Sequence, residues 1–301
     1  MKRVVYLIGN PIAGGSAERE IRNARKLLTA EGYEVALHLT TRKGDAEHFA
    51  RAIREKSDAA QIPMVIAAGG DGTLNEVANG LAGSLVPMAV LPLGTTSVLA
   101  REIGIRLGDT ATALHYALTT APRPAALGRL VFPDGRIRFF LLMAGIGFDG
   151  EVVCRMNPAV KRWFGKGAYA LSTVRTVLKY QPNSLAITYT RSDGSVAEIS
   201  GTSVIVSNAS RYGGDFVITP GADITAPFLK LMVAQSACPA DFLRLLAAIG
   251  TGKKIPGALY ETVTSVRIDG EAPMQIDGDY AGTTPVVIDV VPDSLQLVMR
   301  G

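Results

Sequence analysis

The residues best suited to chemistry are a run of glycines that encloses an aspartate and a threonine, Gly69-Gly70-Asp71-Gly72-Thr73. The run follows an apolar segment, Met64 to Ala68, that predicts a buried strand, and it precedes a helical pattern from Thr73 to Leu81. Glycines let the backbone approach a ligand and adopt positive φ, and the N–H groups at a helix start attract anions. The pattern predicts a phosphate-binding turn, although a turn without a ligand would have the same composition.

Two further loops of small residues follow predicted strands. Asn10 to Gly15 comes after the strand Val4 to Gly9, and Pro92 to Thr96 comes after Met88 to Leu93. Ligands of open parallel sheets collect at the carboxyl ends of the strands. Each loop alone could be a simple turn, but three on one sheet edge favour a nucleotide site.

The elements that position these loops alternate between strand and helix over the first domain. This order predicts a parallel sheet with helices on both faces. The predicted strands are Val4 to Gly9, Glu34 to Leu39, Met64 to Ala68 and Met88 to Leu93, and the helices are Ala17 to Ala30, Asp45 to Lys56 and Thr73 to Leu81.

The pattern changes after Ala121-Pro122-Arg123-Pro124, where turn signals begin to separate β-rich runs. These signals are Pro133-Asp134-Gly135, Ser192-Asp193-Gly194, Asp269-Gly270 and Asp277-Gly278, and helical stretches at 159–179 and 240–249 interrupt them. We therefore predict a nucleotide-binding α/β domain over 1–124 and a mainly antiparallel β domain over 125–285. The final segment reads as a hairpin over Val286 to Met299, and the pattern permits the return of 286–301 to the first domain.

Composition limits the function classes. The chain has 301 residues, 48% of them apolar, which suffices for two packed cores. A net charge of +4 with scattered basic residues argues against nucleic-acid binding. Cys154 and Cys238 lack metal or disulfide spacing, which favours a reducing cytoplasm. No apolar run reaches about 18 residues, so a membrane substrate would be reached from the surface.

Six segments, in order along nearly the whole chain, resemble the diacylglycerol kinase catalytic family, which includes bacterial diacylglycerol kinases and the sphingosine and ceramide kinases. The Gly69 to Leu81 segment is the most specific. The matching segments are Asn10 to Gly15, Thr40 to Ala46, Gly69 to Leu81, Pro92 to Glu102, Gly145 to Val152 and Ile276 to Gly282.

The resemblance implies a two-domain lipid kinase that holds ATP in a cleft between the domains, with Mg²⁺ bound to the nucleotide. It implies that Asp279 is the base for the lipid hydroxyl, with Asp71 as the second candidate. Asp149 is a third carboxylate that merits a test. The implied nucleotide-binding residues are Asn10, Thr40, Gly69, Gly70, Asp71, Gly72, Thr73, Glu76 and Thr95.

The chain departs from the family pattern at three points. Asp279 stands where Glu is usual, which shortens the reach of the base by one methylene. Ala226 stands where an Asp helps hold a structural Mg²⁺, so we predict no structural metal site. Ser97-Val98 replaces an Asn-Asp pair, which makes a ceramide or sphingoid acceptor an alternative to diacylglycerol.

Two other functions compete with a lipid kinase. NAD kinases carry a similar glycine-rich loop, and a pseudokinase that binds nucleotide or lipid would also retain it. For the lipid kinase we expect a cytoplasmic protein, peripheral to the inner face of the membrane, and a homodimer is a possible assembly.

A basic and aromatic cluster suits either a membrane interface or a solvated helix face: Lys161, Arg162, Trp163, Lys166 and Tyr169.

Overall fold

The computed structural model describes residues 3–57, 62–155, 182–235 and 254–300. The chain divides into two compact units. One comprises Met1–Leu127, Gly213–Asp215 and Val291–Gly301, and the other comprises Gly128–Tyr212 and Phe216–Val290. The helices predicted at 159–179 and 240–249, and the basic and aromatic cluster, lie outside the described residues.

The first unit has the predicted α/β architecture. Its sheet has the strand order β2-β1-β3-β4, all parallel, and the end of β17 pairs in parallel with β4. The elements are β1 (Val4–Gly9), α1 (Ala17–Ala30), β2 (Glu34–Leu39), α2 (Asp45–Lys56), β3 (Met64–Gly69), α3 (Asp71–Leu81), β4 (Pro87–Pro92), α4 (Val98–Glu102) and α5 (Thr110–Thr119), with the end of β17 (Val286–Leu297).

The apolar pattern accounts for this packing. The central strands are nearly continuous apolar runs, and Leu7, Ile66 and Val90 are at most 1% exposed. Helix α1 buries a single stripe that includes Ile21 and Leu28, seven residues apart. The helix predicted to begin at Thr73 begins at Asp71 instead.

Helices α2 and α3 pack closely because α3 carries a glycine at their contact. A Cβ on Gly80 would lie 2.6 Å from the Cβ of Ala50, 2.6 Å from the carbonyl oxygen of Glu47 and 2.9 Å from the amide nitrogen of Arg51. Two of these three atoms belong to the backbone, which cannot turn away. The α3 helix, which follows the glycine run, is thereby fixed against α2.

The second unit is mainly antiparallel, as predicted. Its strand order is β16-β15-β7-β10-β13-β14, with β14 also pairing with β8 and with the start of β17. The elements are β5 (Arg123–Val131), which leads in from the first unit, β6 (Ile137–Phe140), β7 (Met143–Ile146), α6 (Phe148–Arg155), β8 (Leu185–Arg191), β9 (Val196–Gly201), β10 (Ser203–Ser207), β11 (Arg211–Tyr212), β12 (Phe216–Val217), β13 (Leu229–Ala234), β14 (Ala258–Asp269), β15 (Pro273–Ile276), β16 (Asp279–Thr283) and the first half of β17.

Two turn predictions for this unit are wrong. Asp269-Gly270 joins β14 to β15, but these two strands do not form a hairpin. Strand β14 pairs with β8, β13 and β17, and β15 pairs with β7 and β16. The segment from Val286 forms one long strand, β17, rather than a hairpin. Asp269-Gly270 does mark the end of a strand, but the pairing of the strands on either side is decided by residues distant in sequence.

The contact at Gly80 predicts that one added methyl group lowers the stability of the protein. In Gly80→Ala the new methyl meets backbone atoms of α2, and overpacking of this kind costs about 1–3 kcal/mol. Alanine gains about 1 kcal/mol of helix propensity over glycine, so we expect a net loss of up to about 2 kcal/mol in the free energy of unfolding.

Urea unfolding followed by circular dichroism measures this loss. Gly15→Ala is the control, because a Cβ there would meet nothing within 4 Å. We expect the control to stay within about 0.5 kcal/mol of the parent. Equal stability of the two variants would show that the α2–α3 contact is looser than described.

Candidate functional site

The three predicted loops lie side by side at the carboxyl edge of the parallel sheet. The N–H of Asn10, after β1, donates to the carbonyl of Ala68 at 2.9 Å, and the N–H of Leu93, after β4, donates to the carbonyl of Gly69 at 2.9 Å. Since β3 lies between β1 and β4, both neighbouring loops are bonded to its end. The structure thus brings together the loops that the sequence predicted to share one edge.

Close backbone approach explains the glycines in these loops. A Cβ on Gly94 would lie 2.6 Å from the Cα of Gly70, and a Cβ on Gly14 would lie 2.6 Å from the carbonyl oxygen of Leu93. A Cβ at either Gly94 or Gly14 would prevent the approach. The loops therefore present bare backbone over a shared surface.

Positive φ plays no part in the glycine run, contrary to our expectation. Gly69, Gly70 and Gly72 are absent from the positive-φ glycines of the described residues, and Gly70 has φ −91°. Instead, a Cβ on Gly69 would lie 2.6 Å from the Cβ of Thr73. Gly70 allows close approach between loops, and Gly69 allows close approach between the turn and the helix that follows.

Asn10 links the first loop to the glycine run. Its side-chain amide donates to the hydroxyl of Thr73 at 3.3 Å, and its side-chain oxygen accepts from the N–H of Ile12 at 3.1 Å. Thr73 is buried, so its hydroxyl faces the loop rather than open solvent. Two predicted nucleotide-binding residues are therefore in direct contact.

Asp71 binds backbone amides of the third loop. Its two carboxylate oxygens accept from the N–H groups of Val98 and Leu99, each at 3.1 Å, at the start of α4. The hydroxyl of Thr96 lies 3.5 Å from the same carboxylate. Charge-assisted bonds of this kind are among the stronger hydrogen bonds in proteins. Asp71 therefore ties the glycine run to the loop after β4, a role that the sequence reasoning missed.

Glu76 plays a similar part for the loop before α2. Its carboxylate accepts from the N–H of Gly44 at 2.9 Å and from the N–H of Ala46 at 3.2 Å. Asp45 orders the same turn, because its carboxylate accepts a hydrogen bond from the backbone N–H of Thr41 at 2.8 Å. This bond holds the pKa of Asp45 well below its usual range. The Glu76 side chain is thus occupied with the first turn of α2.

The remaining predicted residues of this unit lie on the same edge. The N–H of Thr40 donates to the carbonyl of Gly9 at 2.9 Å, which places Thr40 at the end of β2 beside β1. Thr95 is exposed in the loop after β4. Two residues later, Ser97 is buried with φ 44°, and its hydroxyl donates to the carbonyl of Gly94 at 2.9 Å.

In the second unit, Asp277 orders the turn that precedes Asp279. Its carboxylate accepts from the N–H groups of Leu141, Leu142 and Met143 at 2.8, 2.9 and 3.0 Å. Asp279 follows two residues later as the first residue of β16, and it is partly exposed. Of the two aspartates in this motif, Asp277 has a structural role.

Asp149 lies in a buried hydrogen-bonded cluster. One carboxylate oxygen accepts from the Tyr212 hydroxyl at 2.5 Å, and the other accepts from the side-chain amide of Gln275 at 2.6 Å. Burial raises the pKa of Asp149, although both hydrogen bonds act in the opposite direction. Asp149, the third carboxylate that the sequence singled out, lies in the first turn of α6 and is only 6% exposed.

The segment around Ala226 contains a local turn. The carboxylate of Asp223 accepts from the N–H and the hydroxyl of Thr225, at 2.9 and 2.8 Å. Within the described ranges, no group of three or more His, Cys, Asp or Glu side chains is arranged to hold a metal ion.

Two family models match the chain. The diacylglycerol kinase catalytic domain matches residues 4–130, and the YegS C-terminal NAD kinase beta sandwich-like domain matches residues 143–299. The chain belongs to the diacylglycerol kinase catalytic family. By that membership it is a lipid kinase, as the resemblance of its motifs implied.

Relatives of nearly full length agree with this family. The chain is 29% identical to a diacylglycerol kinase of Bacillus subtilis, over 94% of this chain and 91% of the relative. It is 28% identical to a diacylglycerol kinase of Mycobacterium tuberculosis, over 98% and 94%. A crystal structure of a diacylglycerol kinase from Bacillus anthracis has a TM-score of 0.75 at 24% identity, covering 99% of this chain and 97% of that one, and shows the shared fold.

The raised pKa of Asp149 predicts a pH-dependent stability. Because the folded state holds this proton more tightly than the unfolded state, the resulting stabilisation is present below the ordinary pKa of 3.8 and is lost as pH rises through the folded-state value. Asp149→Asn cannot ionise. We therefore expect the variant to gain stability relative to the parent as pH rises above about 4, by up to about 1.4 kcal/mol for each unit of raised pKa.

Urea unfolding of both proteins between about pH 4 and 8 measures this difference. Asp193→Asn is the control, because hydrogen bonds from Ser195 lower the pKa of Asp193. A lowered pKa places the titration of Asp193 below this range, so its difference from the parent should stay nearly constant between about pH 4 and 8. A pH-independent difference between Asp149→Asn and the parent would contradict the raised pKa.

Proposed function

We propose that this lipid kinase transfers the γ-phosphoryl group of ATP to a hydroxyl of a membrane lipid, with diacylglycerol as the first acceptor to test. The convergence of the three glycine loops carries the proposal. Bare backbone at Gly14, Gly70 and Gly94 adjoins the start of α3, a helix of 11 residues. The first N–H groups of a helix lack partners within the helix and favour bound phosphate.

The residues on this edge suit a nucleotide. Gly72 and Thr73 belong to the first turn of α3 and would offer their N–H groups to phosphate oxygens. Asp71 and Glu76 use their carboxylates to hold the adjoining loops in place. Because the loops are held in place before ligand binds, their backbone N–H donors lose less conformational entropy on binding. Asn10, Thr40 and Thr95 remain the other predicted nucleotide contacts.

Mg²⁺ bound to the phosphates would neutralise charge on the transferred group. Since the described residues gather no cluster of three metal-binding side chains, phosphate oxygens and water would provide most of its ligands.

Asp279 would accept the proton of the lipid hydroxyl. As that oxygen forms its bond to the γ-phosphorus, the bond from phosphorus to the bridging oxygen breaks and ADP leaves, and the hydroxyl proton passes to the Asp279 carboxylate. Asp279 is partly exposed, and Asp277 fixes the turn that carries it. A group at the surface of its unit can reach a substrate, which the buried Asp149 cannot.

The acceptor could also be a ceramide or a sphingoid lipid. Where many bacterial members have a carboxylate, this chain has Val98, whose N–H is bonded to Asp71. NAD remains the alternative acceptor from the related kinases. We propose contact with the membrane surface, because the substrate is a membrane lipid. None of the described helices is long and apolar enough to span a bilayer.

Phosphoryl transfer from labelled ATP with Mg²⁺ to diacylglycerol, ceramide, sphingosine and NAD tests the proposal. We expect label in one lipid. Asp279→Asn should lower kcat by about 10²- to 10⁴-fold because it removes the proton acceptor but retains the shape. Asp71→Asn should lower transfer by about tenfold or more, because an amide group replaces one of the two oxygens that accept backbone N–H groups.

Asp134→Asn is the matched control. Asp134 lies in the exposed turn between β5 and β6, where it contacts Arg136, and the change should leave transfer within about twofold. Label in NAD would replace the lipid kinase proposal with the alternative enzyme. ATP binding without transfer to any acceptor would favour a pseudokinase.

A further inference from the structure

A chain of hydrogen bonds runs from the interior of the second unit to the turn beside Asp279. The Tyr212 hydroxyl bonds to Asp149, and Asp149 bonds to the side-chain amide of Gln275. The side-chain oxygen of Gln275 then accepts from the N–H of Gly278 at 2.7 Å. Gln275 is 2% exposed, so the links before the turn are shielded from water.

The polarity of this chain is fixed at its outer end. A backbone N–H can only donate, so the atom of Gln275 that faces Gly278 must be the oxygen. The nitrogen of Gln275 must then face Asp149, which accepts through its carboxylate. Each side chain therefore has one orientation that satisfies all its partners.

The surrounding backbone makes room for this cluster. A Cβ on Gly145 would lie 1.9 Å from the carboxylate oxygen of Asp149, and a Cβ on Gly150 would lie 2.1 Å from the carbonyl oxygen of Pro273. Helix α6 can thus lie directly against β15, with the Asp149 carboxylate between α6 and β7. The glycines of the Gly145 to Gly150 segment allow the carboxylate to occupy this site.

The hydrogen-bond chain ends at a tight turn with an unusual backbone conformation. Asp277 and Gly278 have φ 48° and 87°, the two positive values that a type I′ hairpin turn requires, and Ile276 pairs with Asp279 across it. Gly278 is exposed, so water could satisfy its N–H. The bond from a buried side chain therefore serves to orient the turn, since the amide does not need it to be satisfied.

We propose that Asp149 is a positioning residue for Asp279, and that it acts through Gln275 and the N–H of Gly278. The inference rests on the proposed role of Asp279 as the base. Asp277 holds one side of the turn through the amides of Leu141 to Met143, and the Asp149–Gln275 chain holds the other. Together they fix the direction in which the Asp279 carboxylate points.

Exchange of the two polar side chains tests the proposal. Gln275→Glu alone places two carboxylates at the 2.6 Å contact and leaves no donor between them unless they share a proton. The double variant Asp149→Asn with Gln275→Glu restores the chain, because the new amide at 149 donates to the new carboxylate at 275. That carboxylate still accepts from the backbone N–H of Gly278, and the net charge of the protein is unchanged.

For Gln275→Glu we expect kcat to fall by up to about 10²-fold while the KM for ATP stays within about twofold, because misplacement of a catalytic group slows the chemical step. The loss should be smaller at low pH, where the two carboxylates can share a proton. The double variant should regain activity to within about fivefold of the parent. Failure of the double variant to exceed the single variant, in proteins that melt above the assay temperature, would overturn the proposal.

Leu231→Ala controls for stability. Leu231 is fully buried in β13 and outside the chain of hydrogen bonds, so the variant should melt at a lower temperature with kcat within about twofold. A matching fall in kcat would show that loss of stability alone explains the effect.

Amide hydrogen exchange at Gly278 provides a readout that needs no activity. We expect faster exchange in Gln275→Glu and restored protection in the double variant. If the parent transfers phosphate to no acceptor, the proposed function fails while this measurement still tests the linkage. Equal exchange in all three proteins would overturn it.

Discussion

The site depends on one constraint, the approach of three backbone segments to distances that exclude side chains. Gly70 and Gly94 come so close that a methyl group on Gly94 would lie 2.6 Å from the neighbouring Cα. Parallel strands make this possible, because β1, β3 and β4 end on the same edge and deliver their loops together. Without the close approach, the N–H groups and the helix start would not share one surface.

Carboxylates stabilise these loops more than the sequence suggests. Asp71 and Glu76 each accept two backbone N–H groups from another loop, and Asp277 accepts three. Acidic residues in kinase motifs invite catalytic interpretations. Here they also supply the acceptors that backbone amides outside regular structure require. Loops held in this way keep their shape before a ligand arrives.

The sequence predicted the elements well because their signals are local. Apolar runs gave β1 to β4, and the stripe from Ile21 to Leu28 gave α1. The partners of Asp71 and Glu76 could not be predicted, since Val98 lies 27 residues from Asp71 and Gly44 lies 32 residues from Glu76. Such pairs are decided by how the strands align and leave no periodic pattern in the sequence.

The buried cluster at Asp149 was missed for a related reason. Its partners, Tyr212 and Gln275, lie 63 and 126 residues away. The glycines at 145 and 150 were the available signal, because a segment with glycines on either side of an aspartate can admit a close neighbour. The same glycines would also suit a turn, and composition alone does not distinguish close packing from a turn.

Titration of the isotope-labelled protein with ATP and Mg²⁺, followed through its backbone amide signals, shows whether the three loops form one phosphate site. We expect the amides of Gly14, Gly70 and Gly94 to shift together with one dissociation constant, because the phosphates of one ATP molecule contact a surface built from all three loops. Shifts confined to a single loop, or to residues away from the carboxyl edge of the sheet, would contradict a shared phosphate site.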